Sequence, residues 1–392
     1  MPISLPTASR RSAQRAVRRR SVRHPSRCPR WHTATMDLSV FFVGTSGSLP
    51  TARRGLPALV IRRGGDRILV DCGEGTQRQL LRSIGLVELT EVLITHFHAD
   101  HWLGLPGLLK TFDLRGREAP LAIHGPRGLG ELLAVVMRAA GRLGYELRVV
   151  ELEGGEVLER DGYRIAPVPA SHRGPAFGYV LYEDERPGVF DPELAVRLGL
   201  VAGPEFGRVQ RGESVRGVTG DQVMGAPRPG RKLTISGDTR PSDAIMIAAH
   251  GSDLLVHEST FAIEDAERAY QTGHSTASQA AGIARDAQVR LLALTHFSVR
   301  YPAGTLRDEA REIFPNTVIP RDFDTIELPF PEKGPPELVH WPGDGARRPE
   351  ALDHEPEAGE PEPEVAEPRP QRRPGPPTHE PEPAASAAEP AP

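Results

Sequence analysis

The chain reads as an α/β protein: two β-sheets packed face to face, with helices on their outer surfaces. Three observations predict this. Short apolar runs of strand length alternate with segments whose apolar residues recur at helical spacing. The arrangement appears early in the chain and again late. Polar, chemistry-bearing residues cluster at the C-terminal ends of the apolar runs, the edge where α/β scaffolds collect their sites.

The elements follow in order. Leu38–Val43, Ala58–Arg62 and Arg67–Val70 are predicted strands, with Gly64-Gly65-Asp66 joining the second to the third as a hairpin. Gln77–Ile84 carries helix spacing, and Val92–Thr95 is the next strand. Leu121–His124, Arg148–Glu151, Tyr163–Pro167 and Phe177–Tyr182 read as strands, with a helix over Gly128–Ala140. Late in the chain, Lys232–Ser236, Leu254–His257 and Leu291–Leu294 are short apolar runs that end at polar residues. Pro241–Ala249 and Thr276–Ala287 are the helices between them, and Thr276 with Gln279 three residues on fits a capping box.

Residues 183–231 break the rhythm. Pro187-Gly188, the run Gly199-Leu200-Val201-Ala202-Gly203-Pro204 and a scatter of arginines (Arg197, Arg208, Arg211, Arg216, Arg228, Arg231) mark an inserted arm. Such arginines serve either as solvated surface or as contacts to a phosphate backbone, and both readings stand.

Composition sets the boundaries. A hydrophobic fraction of 38% is low for a compact protein, and the 39 prolines account for part of it. They crowd residues 332–392, a Pro/Glu/Ala-rich tail with almost nothing to bury and therefore expected to be disordered. Residues 1–35 form a basic leader, arginine-rich and without acids from Arg10 to Arg30. It fits a transit-like peptide, a nucleic-acid-binding arm or sequence upstream of the functional start. Met36, just before the first strand, is the expected start, and 36–331 the expected folded domain. No apolar stretch is long enough to cross a bilayer. Cys28 and Cys72 alone make no disulfide framework, so the cytoplasm is the expected compartment. The net charge of −4 sets an acidic tail against basic stretches and says little about partners.

The chemistry lies in Thr95-His96-Phe97-His98-Ala99-Asp100-His101, directly after Val92-Leu93-Ile94. Alternation in an extended stretch sends His96 and His98 to one side. Asp100 and His101, just beyond, turn back toward a second point nearby. This suits two cations; imidazoles with a carboxylate and no thiolate favour zinc and admit manganese or iron(II). A lone histidine here would read as a satisfied polar residue; four candidate ligands in this order do not, because such clusters rarely serve packing. Three more candidates follow apolar runs: His172 after Ala170-Ser171, Asp238 in Ser236-Gly237-Asp238-Thr239, and His296 after Leu294-Thr295. His172 is placed to complete one ion with His96 and His98. Asp100, His101 and His296 are placed to hold the other, and Asp238 to bridge them. Each alone would serve equally as an ordinary loop residue; the set is what points to a dinuclear centre.

With these residues the chain resembles the ribonuclease Z family, tRNA 3′-processing endonucleases of the metallo-β-lactamase superfamily. The matching stretches are Gly44-Thr45-Ser46-Gly47-Ser48-Leu49-Pro50-Thr51, Asp71-Cys72-Gly73-Glu74-Gly75-Thr76-Gln77 and the His96–His101 signature. Ser236-Gly237-Asp238-Thr239-Arg240-Pro241, His257-Glu258-Ser259-Thr260, Gly273-His274-Ser275-Thr276 and Thr295-His296-Phe297-Ser298-Val299-Arg300-Tyr301 complete the set. The signature alone specifies the superfamily; the other stretches are narrower. The resemblance implies a four-layer αββα metallo-β-lactamase sandwich with an inserted flexible arm, 183–231, that clamps tRNA through Gly199–Arg216. It implies two Zn2+ per subunit, held by His96, His98, Asp100, His101, His172, Asp238 and His296. It also implies a homodimer and precursor tRNA as substrate. The arginine-rich leader is a departure from that pattern.

On this reading Asp100 is both ligand and acceptor of the attacking water's proton. His257, with Glu258 beside it, is the expected proton donor to the leaving 3′-oxygen, a contribution of roughly 10²–10⁴ in rate. His274 is placed to contact the scissile phosphate or the RNA 3′ end, although both histidines also fit structural roles. The expected products are a tRNA 3′-hydroxyl and a trailer 5′-phosphate. Two other classes compete: another hydrolase of the superfamily (phosphodiesterase, lactonase or arylsulfatase), and an RNA-binding module without chemistry.

Overall fold

A computed structural model describes residues 37–342; the leader and most of the expected tail lie outside the described residues. One sheet runs, strand beside strand, through Glu337–Val339, Thr325–Glu327, Leu38–Gly44, Ala58–Arg63, Asp66–Val70, Glu91–Leu93, Leu121–Pro126 and Leu147–Leu152. The other runs through Thr317–Val318, Leu291–Thr295, Leu254–Glu258, Lys232–Ile235, Phe177–Glu183, Tyr163–Pro169 and Leu158–Arg160. Each sheet mixes antiparallel pairs with a parallel set, Asp66–Val70 through Leu147–Leu152 in the first and Lys232–Ile235 through Thr317–Val318 in the second.

Side-chain alternation explains the layering. In the first strand Leu38, Val40 and Phe42 enter the core between the sheets, together with Ile235, Leu254 and Val256 of the second sheet. Phe41 and Val43, one residue out of phase, face the other way and pack with Leu80, Leu105, Leu108 and Leu133. Those residues belong to the helices Thr76–Arg82, Leu105–Leu114 and Leu129–Ala140. The second sheet repeats the scheme: Leu291 and Ala293 point inward, while Leu292 and Leu294 pack on Ala280, Ala284 and Leu306. Their helices are Ala277–Asp286 and Ala303–Ile313. Strands apolar on both faces therefore yield four layers, helix–sheet–sheet–helix, as expected. The capping box at Thr276 and Gln279 is formed.

Two expectations need correction. The folded unit does not end at residue 331: Glu337–Val339 adds an edge strand beside Thr325–Glu327, and Trp341 packs edge-on against Phe41 and Phe323. This stretch lies next to the proline-rich tract, and its composition hides three residues of strand. The second concerns the arginines of 183–231, read from the sequence as either solvated surface or phosphate contacts. The insertion is set off from the sandwich core, with the short helices Pro192–Arg197, Pro204–Gln210 and Gly220–Val223 around a small cluster of Ala195, Leu200, Val209, Val215, Val218 and Val223. Arg208 pairs with Glu213 and Arg216 with Glu205 inside it, and Arg186 and Arg228 pair with Glu332 outside it, so it is not a field of free positive charge. No helix among the described residues is long and apolar enough to cross a membrane.

Candidate metal centre

All seven expected ligands come together at one rim of the sandwich. His96 and His98 follow the strand Glu91–Leu93, and Asp100 and His101 open the helical turn Ala99–Trp102. Asp238 follows Lys232–Ile235, His296 follows Leu291–Thr295, and His172 follows Tyr163–Pro169. Six of these donors come from loops at the C-terminal ends of parallel strands or their immediate neighbours, where side chains leave the sheet toward a common point.

Donor spacing tests whether the group fits cations. Ligand atoms about 2.0–2.1 Å from a shared ion at tetrahedral corners stand about 3.3–3.4 Å apart. His98 Nδ1 and His172 Nε2 are 3.1 Å apart, and His96 Nε2 lies 3.7 Å from Asp238 Oδ2. Across the centre, His101 Nε2 and His296 Nε2 are 3.3 Å apart, and each lies 3.3 Å from Asp238 Oδ2. Asp100 Oδ2 stands 3.4 Å from His296 Nε2 and 3.6 Å from His101 Nε2. The seven fall into two groups, His96, His98, His172 and Asp238 in one, Asp100, His101 and His296 in the other, and a third, overlapping group joins Asp238 and His296 to His274. His96 Nε2 is buried without a hydrogen-bond partner, which an apolar site would penalise and a cation would satisfy.

The opposite ring nitrogens are held by the scaffold. Asp71 accepts from His101 Nδ1 at 2.7 Å, from the Thr95 N–H at 2.8 Å and from Thr95 Oγ1 at 2.9 Å. The Gly273 carbonyl takes His172 Nδ1 at 2.6 Å, and Thr260 Oγ1 meets His296 Nδ1 at 2.8 Å. Outer partners of this kind fix ring orientation and raise ligand basicity. Motif glycines make room for the ligands. A Cβ on Gly47 would sit 2.5 Å from His296 Nδ1, and Gly237, at φ 60°, would push one to 2.7 Å from the Phe177 carbonyl oxygen. Asp71 and His296 themselves adopt φ near 60°, a conformation most side chains avoid and one found where a site overrides local preference.

Electrostatics favours neutral imidazoles in the first group. Burial lowers the pKa of His96, and the neighbouring His101 adds to it; burial also lowers His98 and His172, so these rings favour the neutral form that binds metal. His101 goes the other way: burial opposes its charge, but Asp238 and Asp71 outweigh that and raise it well above 6.5. Asp238 is held well below the usual carboxylate range because His296 and His101 overcome its burial.

His257 is not brought into the centre. It is fully buried within the strand Leu254–Glu258, its Nδ1 donates to the Glu258 carbonyl, and it makes no hydrogen bond to any of the seven residues. Alternation is the reason: Val256 and Glu258 face the seam between the sheets where the centre sits, so His257 faces outward. His274, by contrast, lies at the edge of the centre. Its Nδ1 lies 3.0 Å from Glu258 Oε1 and 3.7 Å from Asp238 Oδ2, and its ring stacks on His296 at 5.3 Å. Burial alone would depress it, but the Glu258 carboxylate, with Asp238 behind, raises it to about 9. Sequence reasoning also missed Asp71, although it opens the Asp71–Gln77 motif directly after a strand, the same signal that marked Asp238.

The profile of the metallo-beta-lactamase superfamily matches residues 54–296. A ribonuclease Z of Gemmatimonas aurantiaca is 46% identical over 308 residues, 76% of this chain and 98% of that protein. One from Methanosarcina acetivorans is 42% identical over 302 residues, 75% of this chain and 99% of its own length. Among solved structures, the short form of human tRNase Z superposes with a TM-score of 0.55 at 28% identity, covering 74% of this chain and 99% of that one.

Proposed function

The chain belongs to the ribonuclease Z family of the metallo-β-lactamase superfamily, and from that premise we propose how its residues remove the 3′ trailer from precursor tRNA. The observation that carries the assignment of residues is the convergence of seven donors, from separate loops, into two groups, with Asp238 Oδ2 3.7 Å from His96 in one and 3.3 Å from His101 and His296 in the other. The enzyme is a metal-dependent endoribonuclease. Zinc, two ions per subunit, is the cofactor we assign, from the imidazole and carboxylate donor set. When bound, such a pair activates the attacking water and offsets charge that builds on the phosphoryl oxygens.

The protein's own groups do the rest. Asp100 receives the water's proton; its Oδ2 is oriented by the Ser48 N–H at 2.8 Å, and His296 and His101 keep it ionised despite burial. His274 replaces His257 as donor to the leaving 3′-oxygen. Glu258 holds His274 by Nδ1, and is itself fixed by the Thr239 N–H at 2.9 Å and by Thr260 Oγ1 at 2.6 Å. Nε2 is then the nitrogen left for the substrate. Retention of the bridging oxygen on the tRNA gives a 3′-hydroxyl there and a 5′-phosphate on the trailer.

The insertion around Gly199–Arg216 is assigned to the body of the tRNA, a homodimer is the expected assembly, and the cytoplasm is the compartment this substrate implies. One experiment tests the core of the reading. End-labelled precursor tRNA is incubated with the protein, with and without chelator, and both product ends are mapped. A single cut at the tRNA 3′ end, lost with chelator and restored by zinc, is expected. A 2′,3′-cyclic phosphate end would overturn the mechanism.

A further inference from the structure

Beside the metal centre lies a cleft of about 270 Å³ whose walls carry Arg54, Arg307, Arg311 and Arg321. Its floor includes Ala303 and Gly304, the first residues of the helix Ala303–Ile313. Pro302 precedes them and supplies no capping side chain, so the positive end of the helix dipole borders the same space. Among the described residues Arg311 and Arg321 form no ion pair, Arg307 pairs only with its exposed neighbour Asp308, and Arg54 makes no close ion pair, although Asp322 and Asp324 act on it from nearby. This contrasts with the insertion, where arginines are matched by acids. Four guanidiniums around one cleft repel one another, a cost that a chain keeps where an anion offsets it.

The cleft is continuous with the centre through one loop. Arg54 hydrogen-bonds Thr45 Oγ1 and lies 4.8 Å over the ring of Phe297. Phe297 follows the ligand His296, and its N–H bonds the Thr45 carbonyl at 3.1 Å. From the same loop the Ser48 N–H reaches Asp100. Arg54 therefore joins the cleft to the loop that carries His296.

We propose that this cleft binds backbone phosphates of the precursor RNA where the chain leaves the metal centre. The inference rests on the ribonuclease reading above and adds a binding site to it. The phosphates come from the 3′ trailer or from the acceptor stem, and both present the same chemistry to the guanidiniums.

The test uses the full chain and measures KM for precursor tRNA cleavage across a range of salt. It compares wild type, Arg321→Gln, the pair Arg307→Gln with Arg321→Gln, and Arg285→Gln, an exposed arginine outside the cleft lining, as a control for loss of surface charge. Arg321 is exposed and holds no intramolecular partner through its guanidinium, so its loss does not threaten folding. The double variant is expected to raise KM about tenfold, the worth of about one charge-assisted contact, and to flatten the log–log salt dependence by about one per phosphate released. Arg285→Gln should behave as wild type. Repeating the series with a one-nucleotide trailer separates the sources: a penalty that vanishes assigns the cleft to the trailer, and one that persists assigns it to the acceptor stem. Unchanged KM and salt slope in the double variant would overturn the cleft alone. Failure of wild type to cut any precursor tRNA would overturn the ribonuclease reading, and the cleft with it.

Discussion

Replacing Asp71 by Asn tests how far the scaffold behind the ligands sets their affinity for metal. Asp71 is buried, and its two oxygens accept from His101 Nδ1, the Thr95 N–H and Thr95 Oγ1 at 2.7–2.9 Å. Asn matches its volume and tolerates its left-handed φ of 59°, so backbone and packing are preserved. What changes is charge and acceptor capacity. One amide oxygen cannot serve three donors, and the amide NH2 faces at least one of them. His101 loses the carboxylate that orients it and makes it a better donor. Changes of this kind cost about 10–100-fold in metal affinity, or about 1.4–2.7 kcal/mol. Zinc affinity measured by chelator competition on Asp71→Asn and wild type would show the loss, while a metal-free melting curve monitors the fold. Equal zinc affinity in the two proteins would refute the claim that Asp71 acts through His101.

Three further outcomes are expected. The raised pKa of His274 contributes stability that is complete below its unfolded value of about 6.5 and is lost as pH rises through about 9. As proton donor it should give cleavage an alkaline limb near 9, and Glu258→Gln should move that limb down toward 6.5 in a pH–rate profile; an unmoved limb would remove His274 from the role. Deleting residues 190–224 is tolerable because the Gly225 N–H already bonds the Val189 carbonyl at 2.9 Å. This deletion should reduce cleavage of precursor tRNA about 100-fold or more relative to a nitrophenyl phosphodiester, as loss of a second attachment point does, and parallel losses on the two substrates would end the arm's assignment. Glu183→Gln strips the shared partner from buried Arg63 and Arg231, which lie 2.9 Å and 2.7 Å from it, and should destabilise the fold by about 3–5 kcal/mol in denaturant melts.

The fold was legible because both sheets are covered on both sides, so their strands appear as uninterrupted apolar runs such as Leu291–Leu294. Short edge strands such as Thr317–Val318 and Glu337–Val339 were not, since two or three residues carry no periodicity. The seven donors were legible for another reason: metal ligands need rare residue types at strand ends, and those two conditions together are seldom met by chance. His257 misled because it satisfies both. A histidine at a strand end points to either side of the sheet, and only register decides which; Glu258, one residue later, took the site-facing position. Asp71 was passed over because an outer partner needs only one acid, a signal too common to stand out. In the arm, Arg197, Arg208 and Arg216 stand out in the sequence, but only the fold sets Glu193, Glu213 and Glu205 beside them.

The same strands that deliver the ligands also separate the site from what holds the sheets together. Phe177–Glu183 begins at the centre, where the Phe177 N–H bonds the Thr95 carbonyl beside His96, and ends at Glu183. Seven residues of strand place those ends about 20 Å apart. At the far end Glu183, from one sheet, clips Arg63, from the other, and Arg231. The near end holds what a fold would otherwise shed: left-handed φ at Asp71 and His296, an orphaned His96 nitrogen and crowded imidazoles. Strain and unsatisfied polarity persist only where surrounding structure over-determines them. The buried ion cluster at one rim and the continuous apolar core between the sheets supply that constraint from a distance. The metal rim can then be tuned for binding and proton transfer without carrying the stability of the sandwich.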